Sequence, residues 1–277
     1  MKKHLPNALT CLNLLCGCIA LTFIFGGDLV LAAYLVGIAA VADFFDGLVA
    51  RALRVSSPIG KDLDSLADMV SFGVVPGAVM FSLLGESVFK SFVVDKAEWL
   101  ASGGAAAAQT FASSLVKQAS QDSSLRYIAL VPLCGFIISI FSALRLAKFN
   151  NDTRQTTSFI GLPTPACTLV VASLPLILAN DAFDLKDFIL NPWVLLGLTV
   201  LLSGLLVAEL PLFALKFKNL RWLGNRRRFI FVGLALGLVL WLKAAGVPLA
   251  VLLYVLLSVP GRVRSREGTE VAPANPQ

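Results

Sequence analysis

Long apolar runs decide what this chain can fold into. Stretches such as "LVLAAYLVGIAAVA" belong to segments that reach the roughly 20 residues a helix needs to cross a hydrocarbon core of about 30 Å. Hydrophobic residues make up 57% of the 277, and the mean hydropathy is +0.81. Inside a bilayer the backbone must satisfy its own hydrogen bonds, and uninterrupted apolar runs of this length do so as helices. Eight segments read as spans, near 8–26, 29–53, 63–85, 126–147, 163–179, 192–215, 228–244 and 247–260. The last is short and preceded by "GVP", which also suits a re-entrant segment. The expected fold is an all-α integral membrane protein, a polytopic bundle of about eight and at least six transmembrane helices. Residues 1–262 form its membrane domain. Residues 263–277, ending in "APANPQ", form a disordered cytoplasmic tail. No small-residue cleavage site follows the first apolar segment, so a cleavable signal peptide is not expected.

The charges give the chain an orientation. With a cytoplasmic N-terminus and eight spans, 17 of the 23 Lys and Arg residues fall on one side. Lys90, Lys96, Lys117, Arg126, Lys186 and Lys243 fall on the other. This is the positive-inside pattern of a multi-pass protein of the cell membrane. The basic residues sit in short loops between apolar spans, so the bilayer and not nucleic acid is the expected partner. The stretch 216–229, basic with a Trp, reads as an interfacial anchor beside anionic headgroups. The long connection 86–125 reads as an outer surface helix, and 180–192 as an acidic outer loop. Five cysteines in apolar runs, with no CxxC pair, read as small buried side chains. A single histidine, His4, excludes His-based metal sites and triads.

Against this background residues 41–73 stand out, with Asp43, Asp46, Asp62, Asp64 and Asp68 beside apolar spans. Read as helix, Asp43, Asp46, Gly47, Ala50 and Arg51 share one face at the end of the second span. Gly60, Asp64 and Asp68 share one face of the third. The short turn "VSSP" lets the two faces converge. Asp62 points away, and its place in the first turn of a helix suits the helix dipole. Four converging carboxylates repel one another in a medium of low dielectric, and they stay ionised only with cations between them. Oxygen ligands suit two hard divalent ions, Mg²⁺ or Mn²⁺. Gly47, Ala50 and Gly60 lack bulk and let a nucleotide approach the backbone, while Arg51 adds positive charge. The pattern reads as a metal-dependent site for a phosphorylated substrate at the cytoplasmic surface.

The spacing D-x2-D-G-x2-A-R-x8-G-x3-D-x3-D, from Asp43 to Asp68, resembles the signature of the CDP-alcohol phosphatidyltransferases. Its eight fixed positions all match across 26 residues, which is more specific than a lone short motif. The resemblance implies transfer of a phosphatidyl group from CDP-diacylglycerol to an alcohol, with release of CMP. It implies that Asp43, Asp46 and Asp64 bind two metals, and that Asp68 binds the second metal and serves as general base. Gly47, Arg51 and Ser57 are implied as contacts of the CDP moiety, and Asn7 and Thr10 as nucleotide-side residues. The blocks "LPNALTCLNLLCGCIAL", "GKDLDSLADMVSFGVVP" and "LRLAKFN…FIGLPTPA" are similar to the branch of the family that uses L-serine. Arg145 and Lys148, three apart, read either as interfacial anchors or as contacts for a serine carboxylate or a phosphate. Family resemblance also implies a homodimer.

Two other readings remain open at this point. Another acceptor of the same family, glycerol 3-phosphate or inositol phosphate, shares the core signature. A cation transporter or proton relay also uses intramembrane carboxylates. It does not need G-x2-A-R at fixed offsets.

Overall fold

The computed structural model describes residues 4–55, 57–92, 130–151, 159–181, 183–212 and 222–258. They form helices α1 (Leu5–Phe25), α2 (Leu29–Leu53), α3 (Pro58–Met69) and α4 (Val75–Phe92), with a π-helical turn (Val70–Val74) joining α3 to α4. A 3₁₀ turn (Val131–Phe136) leads into α5 (Ile137–Asn151). Then come β1 (Phe159–Ile160), α6 (Thr164–Asn180), the short α7 (Lys186–Ile189), α8 (Pro192–Val207), β2 (Pro211–Leu212), α9 (Trp222–Leu242) and α10 (Gly246–Ser258). The all-α expectation holds. The two-residue antiparallel bridge between β1 and β2 is the one strand pairing among the described residues.

Local chemistry explains the helix boundaries. Asp28 caps α2 by accepting from Leu31 N at 2.9 Å, and Asn191 caps α8 by accepting from Trp193 N at 2.9 Å. Ser57 caps α3 by accepting from Gly60 N at 3.0 Å, with Pro58 in the first helical position. This cap starts the third span five residues earlier than the expected 63, because Ser57 and Pro58 are a stronger start signal than the apolar boundary. Asp62 therefore lies in the second turn of α3 and not the first, beyond the reach of the first-turn dipole interaction expected for it. The same helix continues to Phe92. The expected outer connection at 86–125 thus begins later than its first residue. Positions 93–129, the tail 263–277 and the stretch 213–221 lie outside the described residues.

Among the described residues five stretches are long and apolar enough to cross a membrane: Leu5–Phe25, Leu29–Leu53, Pro58–Val88, Val131–Asn151 and Arg228–Ser258. Thr164–Asn180 and Pro192–Val207 are shorter apolar helices. The last long stretch is folded in two. Gly246 packs against the backbone of Leu238 and Val239, and the Phe231 and Tyr254 rings meet tilted, their centroids 5.4 Å apart. A straight helix would hold both pairs far apart, so α9 and α10 form an antiparallel hairpin. The 13 residues of α10 span about 20 Å.

Helix α4 lies at the centre, packed by α1, α5, α6 and α8. Val75, Ala78, Val79, Met80, Leu83 and Leu84 are buried on its several faces. The outer faces of α1 and α2 show Leu12, Leu15, Tyr34, Ile38, Val41 and Phe44, as a surface facing lipid should. An ion pair of 2.6 Å between Lys90 and Asp187 fastens the end of α4 to α7. At the opposite end Gly161 N donates to Leu210 O and Leu162 N to Leu205 O, both at 2.9 Å. Leu205 lies in the last turn of α8, where carbonyls lack intrahelical donors.

Gly161 has φ of +79°, and a Cβ there would meet Leu206 O at 2.7 Å and Ala208 O at 3.0 Å. Gly161→Ala should therefore destabilise the protein by ~1–3 kcal/mol, read as a lower midpoint of thermal unfolding in detergent. Gly197→Ala, where a Cβ meets nothing within 4 Å, should leave that midpoint unchanged or raise it.

Candidate active site

The site is built where one end of α1 meets the turn between α2 and α3. Helix α2 closes with Arg54 in the left-handed conformation (φ 52°), and Val55 N donates to Ala50 O at 3.0 Å. The chain then turns at once into the Ser57 cap. This tight reversal brings the carboxylate faces of α2 and α3 together. One carboxylate oxygen each from Asp43, Asp64 and Asp68 lies within 4.8 Å of the others. Among the described residues no Lys or Arg pairs with any of them. Unit negative charges at such a separation repel by about 3–4 kcal/mol per pair at an effective dielectric of about 20. The donor set therefore fits a hard divalent cation, which supplies the missing positive charge.

Asp46 stands outside this triangle. It is buried, and its Oδ2 accepts from Thr10 Oγ1 at 2.6 Å. The same hydroxyl lies 3.1 Å from Pro6 O, so its single proton serves two acceptors. Asp68 is held from α1 as well, its Oδ1 accepting from Asn13 Nδ2 at 3.3 Å. Asn13 is fully buried, and among the described residues its Oδ1 has no hydrogen-bond partner. Asp62 is exposed and outside the cluster, as its helical phase requires.

A cavity of about 600 Å³ opens beside the carboxylates. Pro6, Asn7 and Thr10 line it from α1, Asp46, Gly47 and Ala50 from α2, and Gly60, Lys61 and Asp64 from α3. Arg54, Val55 and Ser57 close it along the turn. This volume lies in the range of small-molecule sites. Of the residues singled out from the sequence, Asn7, Thr10, Asp46, Gly47, Ala50, Ser57, Gly60 and Asp64 line it together. Asp43 and Asp68 are not part of its lining. Arg51 is exposed and also off the lining, although its guanidinium reaches within 4.0 Å of where a Gly47 Cβ would sit. Part of the room left by Gly60 is already taken, since a Cβ there would meet Ser57 Oγ at 2.9 Å and Asn7 Oδ1 at 3.0 Å. Its missing side chain lets α1 close onto α3.

Arg145 and Lys148 are not brought into the cavity. Arg145 is buried, its guanidinium donating to Leu162 O and, at 3.3 Å, to Gly161 O. That is neither an interfacial anchor nor a free anion receptor. A long basic side chain inside the bundle takes the backbone carbonyls available to it. Lys148 is exposed, 3.9 Å from Glu209. Arg54, Lys61 and Asn13 are the contributors that the sequence reading passed over. Arg54 and Lys61 fall in the variable gaps of the signature and not at its fixed positions. Asn13 extends the Asn7 and Thr10 spacing by one more turn.

Residues 3–208 match the family model for CDP-alcohol phosphatidyltransferase. The chain belongs to this family. The match covers the Asp signature, the cavity and the Gly161 loop, and it ends before the α9–α10 hairpin. The CDP-diacylglycerol--serine O-phosphatidyltransferase of Helicobacter pylori (strain J99) is 29% identical over 238 residues, covering 84% of this chain and 80% of that protein. The protein of the same name from Bacillus subtilis (strain 168) is 28% identical over 208 residues, covering 75% and 89%. The archaetidylserine synthase of Methanothermobacter thermautotrophicus is 30% identical over 171 residues, 61% of this chain. As a CDP-alcohol phosphatidyltransferase the chain is an enzyme, and its helices are those of a multi-pass membrane protein.

The geometry separates the acidic residues by position. Asp64→Asn should weaken Mn²⁺ binding to the purified protein by tenfold or more, whereas Asp62→Asn should leave it within about twofold. Titration followed by dialysis would read both. Equal losses would mean that Asp62 belongs to the cluster.

Proposed function

We propose that this enzyme transfers the phosphatidyl group of CDP-diacylglycerol to L-serine, giving phosphatidylserine and CMP. The observation that carries the reading is the carboxylate triangle beside a cavity walled by the signature residues. Serine as the acceptor is supported by the relatives, two of which bear it in their names, while a third is named for archaetidylserine.

The residues divide the work by position. Lys61 and Arg54 give the cavity wall positive charge, and Ser57 and Gly60 bring the first turn of α3 to it, where the positive end of the helix dipole favours anions. Gly47 and Ala50 keep the α2 wall low, so the nucleotide lies between α1 and α2, with Asn7 and Thr10 opposite. Arg51 at the rim adds charge for the outer part of the CDP moiety. Asp43, Asp46, Asp64 and Asp68 are the residues to hold two divalent cations, Mg²⁺ or Mn²⁺, with the Thr10 hydroxyl fixing the rotamer of Asp46. Bound there, the cations would neutralise the pyrophosphate and stabilise the departing CMP.

Asp68 is the general base. Steadied by the Asn13 amide, its carboxylate takes the proton of the serine hydroxyl as it attacks the phosphorus in line. The acyl chains remain in lipid beside the exposed apolar faces of α1 and α2 while serine enters from water. The site faces the cytoplasm in this reading, in accord with the basic residues gathered at its end of the bundle. A homodimer is the expected assembly, from family resemblance alone.

The assay is direct. Purified protein given CDP-diacylglycerol and Mg²⁺ or Mn²⁺ should release CMP with serine and not with glycerol 3-phosphate or inositol phosphate, and excess chelator should abolish release. Activity only with a phosphorylated acceptor would keep the family reaction and sink serine. Full activity in chelator would sink the role of the cations.

Orientation has its own test. In a background without the native cysteines, Ser57→Cys should react with a membrane-impermeant maleimide only from the cytoplasmic side. Asp184→Cys, in the exposed turn before α7, should react only from outside. Labelling of both from one face would overturn the topology.

A further inference from the structure

The π turn Val70–Val74 begins two residues after Asp68, in the middle of a helix that otherwise runs without a break from Pro58 to Phe92. Its cause is legible. Residue 76 is proline and has no N–H for the carbonyl of Phe72, four residues before it. The turn is closed instead by Val75 N donating to Val70 O. In apolar surroundings a carbonyl left without its helical donor needs another partner, and neighbouring hydroxyls commonly serve. Here two helices supply them. Thr168 Oγ1 of α6 lies 3.0 Å from Phe72 O, and Ser139 Oγ of α5 donates to Gly73 O at 2.8 Å. A third bond runs to α1, from Ser71 Oγ to Asn13 O at 3.0 Å. Asn13 is the residue whose side chain holds Asp68.

The consequence is geometric. A π turn takes one more residue than an α turn, so it shifts everything before it by about 100° around the helix axis relative to everything after it. The packing of α4 is fixed by its burial at the centre of the bundle, so the angle at which Asp64 and Asp68 face Asp43 depends on that extra residue. We propose that the π turn is the positioning element of the carboxylate face, opened by Pro76 and held open by the hydroxyls of Thr168 and Ser139. Thr168 and Ser139 are positioning residues and touch no substrate. They act through the backbone of residues 72 and 73. Thr168 Oγ1 also lies 2.9 Å from Thr164 O in its own helix, the ordinary resting contact of a helical threonine. The test must therefore separate the cross-helix bond from a merely buried side chain.

This inference rests on the reading of the aspartates as cation ligands, and the experiment distinguishes failure of the two. Full-length protein in detergent is titrated with Mn²⁺, and free ion is followed by electron paramagnetic resonance. Thr168→Val and Ser139→Ala should each weaken binding about tenfold, while Thr168→Ser, which keeps the hydroxyl, should stay within about twofold of the unaltered protein. Thr199→Val makes the same change at a buried threonine of α8 whose hydroxyl, among the described residues, bonds to Leu195 O of its own helix alone, and it should leave Mn²⁺ affinity unchanged. If the unaltered protein binds Mn²⁺ and both Thr168→Val and Ser139→Ala bind it equally well, the positioning role is overturned. It is also overturned if Thr199→Val costs as much as Thr168→Val. If the unaltered protein binds no Mn²⁺, the cation reading itself falls and the inference with it.

Discussion

Three carboxylates pressed within 4.8 Å of one another beside apolar helices are the constraint on which this structure depends. Repulsion among them grows as water is excluded, so the fold must hold them from outside the cluster until a cation arrives between them. Each of the elements around the site contributes to that holding. The α2–α3 reversal brings the charges together, α1 grips Asp68 through Asn13 and the neighbouring Asp46 through Thr10, and the π turn fixes the angle from which α3 presents its pair. None of these contacts neutralises charge, because none comes from Lys or Arg. The basic residues that do stand near, Arg54 and Lys61, face the cavity, where substrate phosphate adds negative charge.

Helix α1 shows how much work one polar stripe can do. Asn7, Thr10 and Asn13 repeat every three residues in an otherwise apolar helix and meet three different positions at increasing depth. Asn7 packs against Gly60 at the mouth, Thr10 binds Asp46, and Asn13 binds Asp68 at the bottom. A polar side chain at the centre of an apolar bundle is costly unless partnered. Asn13 spends its amide N–H on Asp68, while its oxygen stays without a partner among the described residues.

Much of this was legible in the sequence because the signals were local. The aspartate spacing gave the shared faces, "VSSP" gave the reversal, and hydropathy gave the helices and the doubtful last span. Asn7 and Thr10 were legible from resemblance. Asn13 sits in the same stripe, yet a single asparagine inside an apolar run is a weak signal without its partner 55 residues away. The start of α3 was misplaced for a related reason. Hydropathy marks where a span enters lipid, whereas Ser57 and Pro58 mark where the helix begins, and the polar turns between the two belong to the site. Pro76 was visible from the outset, but a proline in an apolar run predicts only a break. Whether it yields a kink or a π turn depends on hydroxyls in α5 and α6 that reach it across the fold.

Arg145 carries the same lesson about long-range partners further. From the sequence its place beside the "FIGLPTPA" block allowed a role as anion receptor. In the fold its guanidinium is committed to the carbonyls of Gly161 and Leu162, the residues whose N–H groups are tied to Leu210 and Leu205. The loop between α5 and α6 is thus held on both edges of its backbone, by a cation on one and by the end of α8 and the following segment on the other. Thr164 and Thr168 follow that loop on α6, and Thr168 is the residue that reaches Phe72 in the π turn. The Gly161 loop and the start of α6 therefore connect to the carboxylates through the Thr168 hydroxyl, which reaches the backbone of the π turn. What this link sets is the position of α6 against the π turn, and so the angle at which Asp64 and Asp68 are presented.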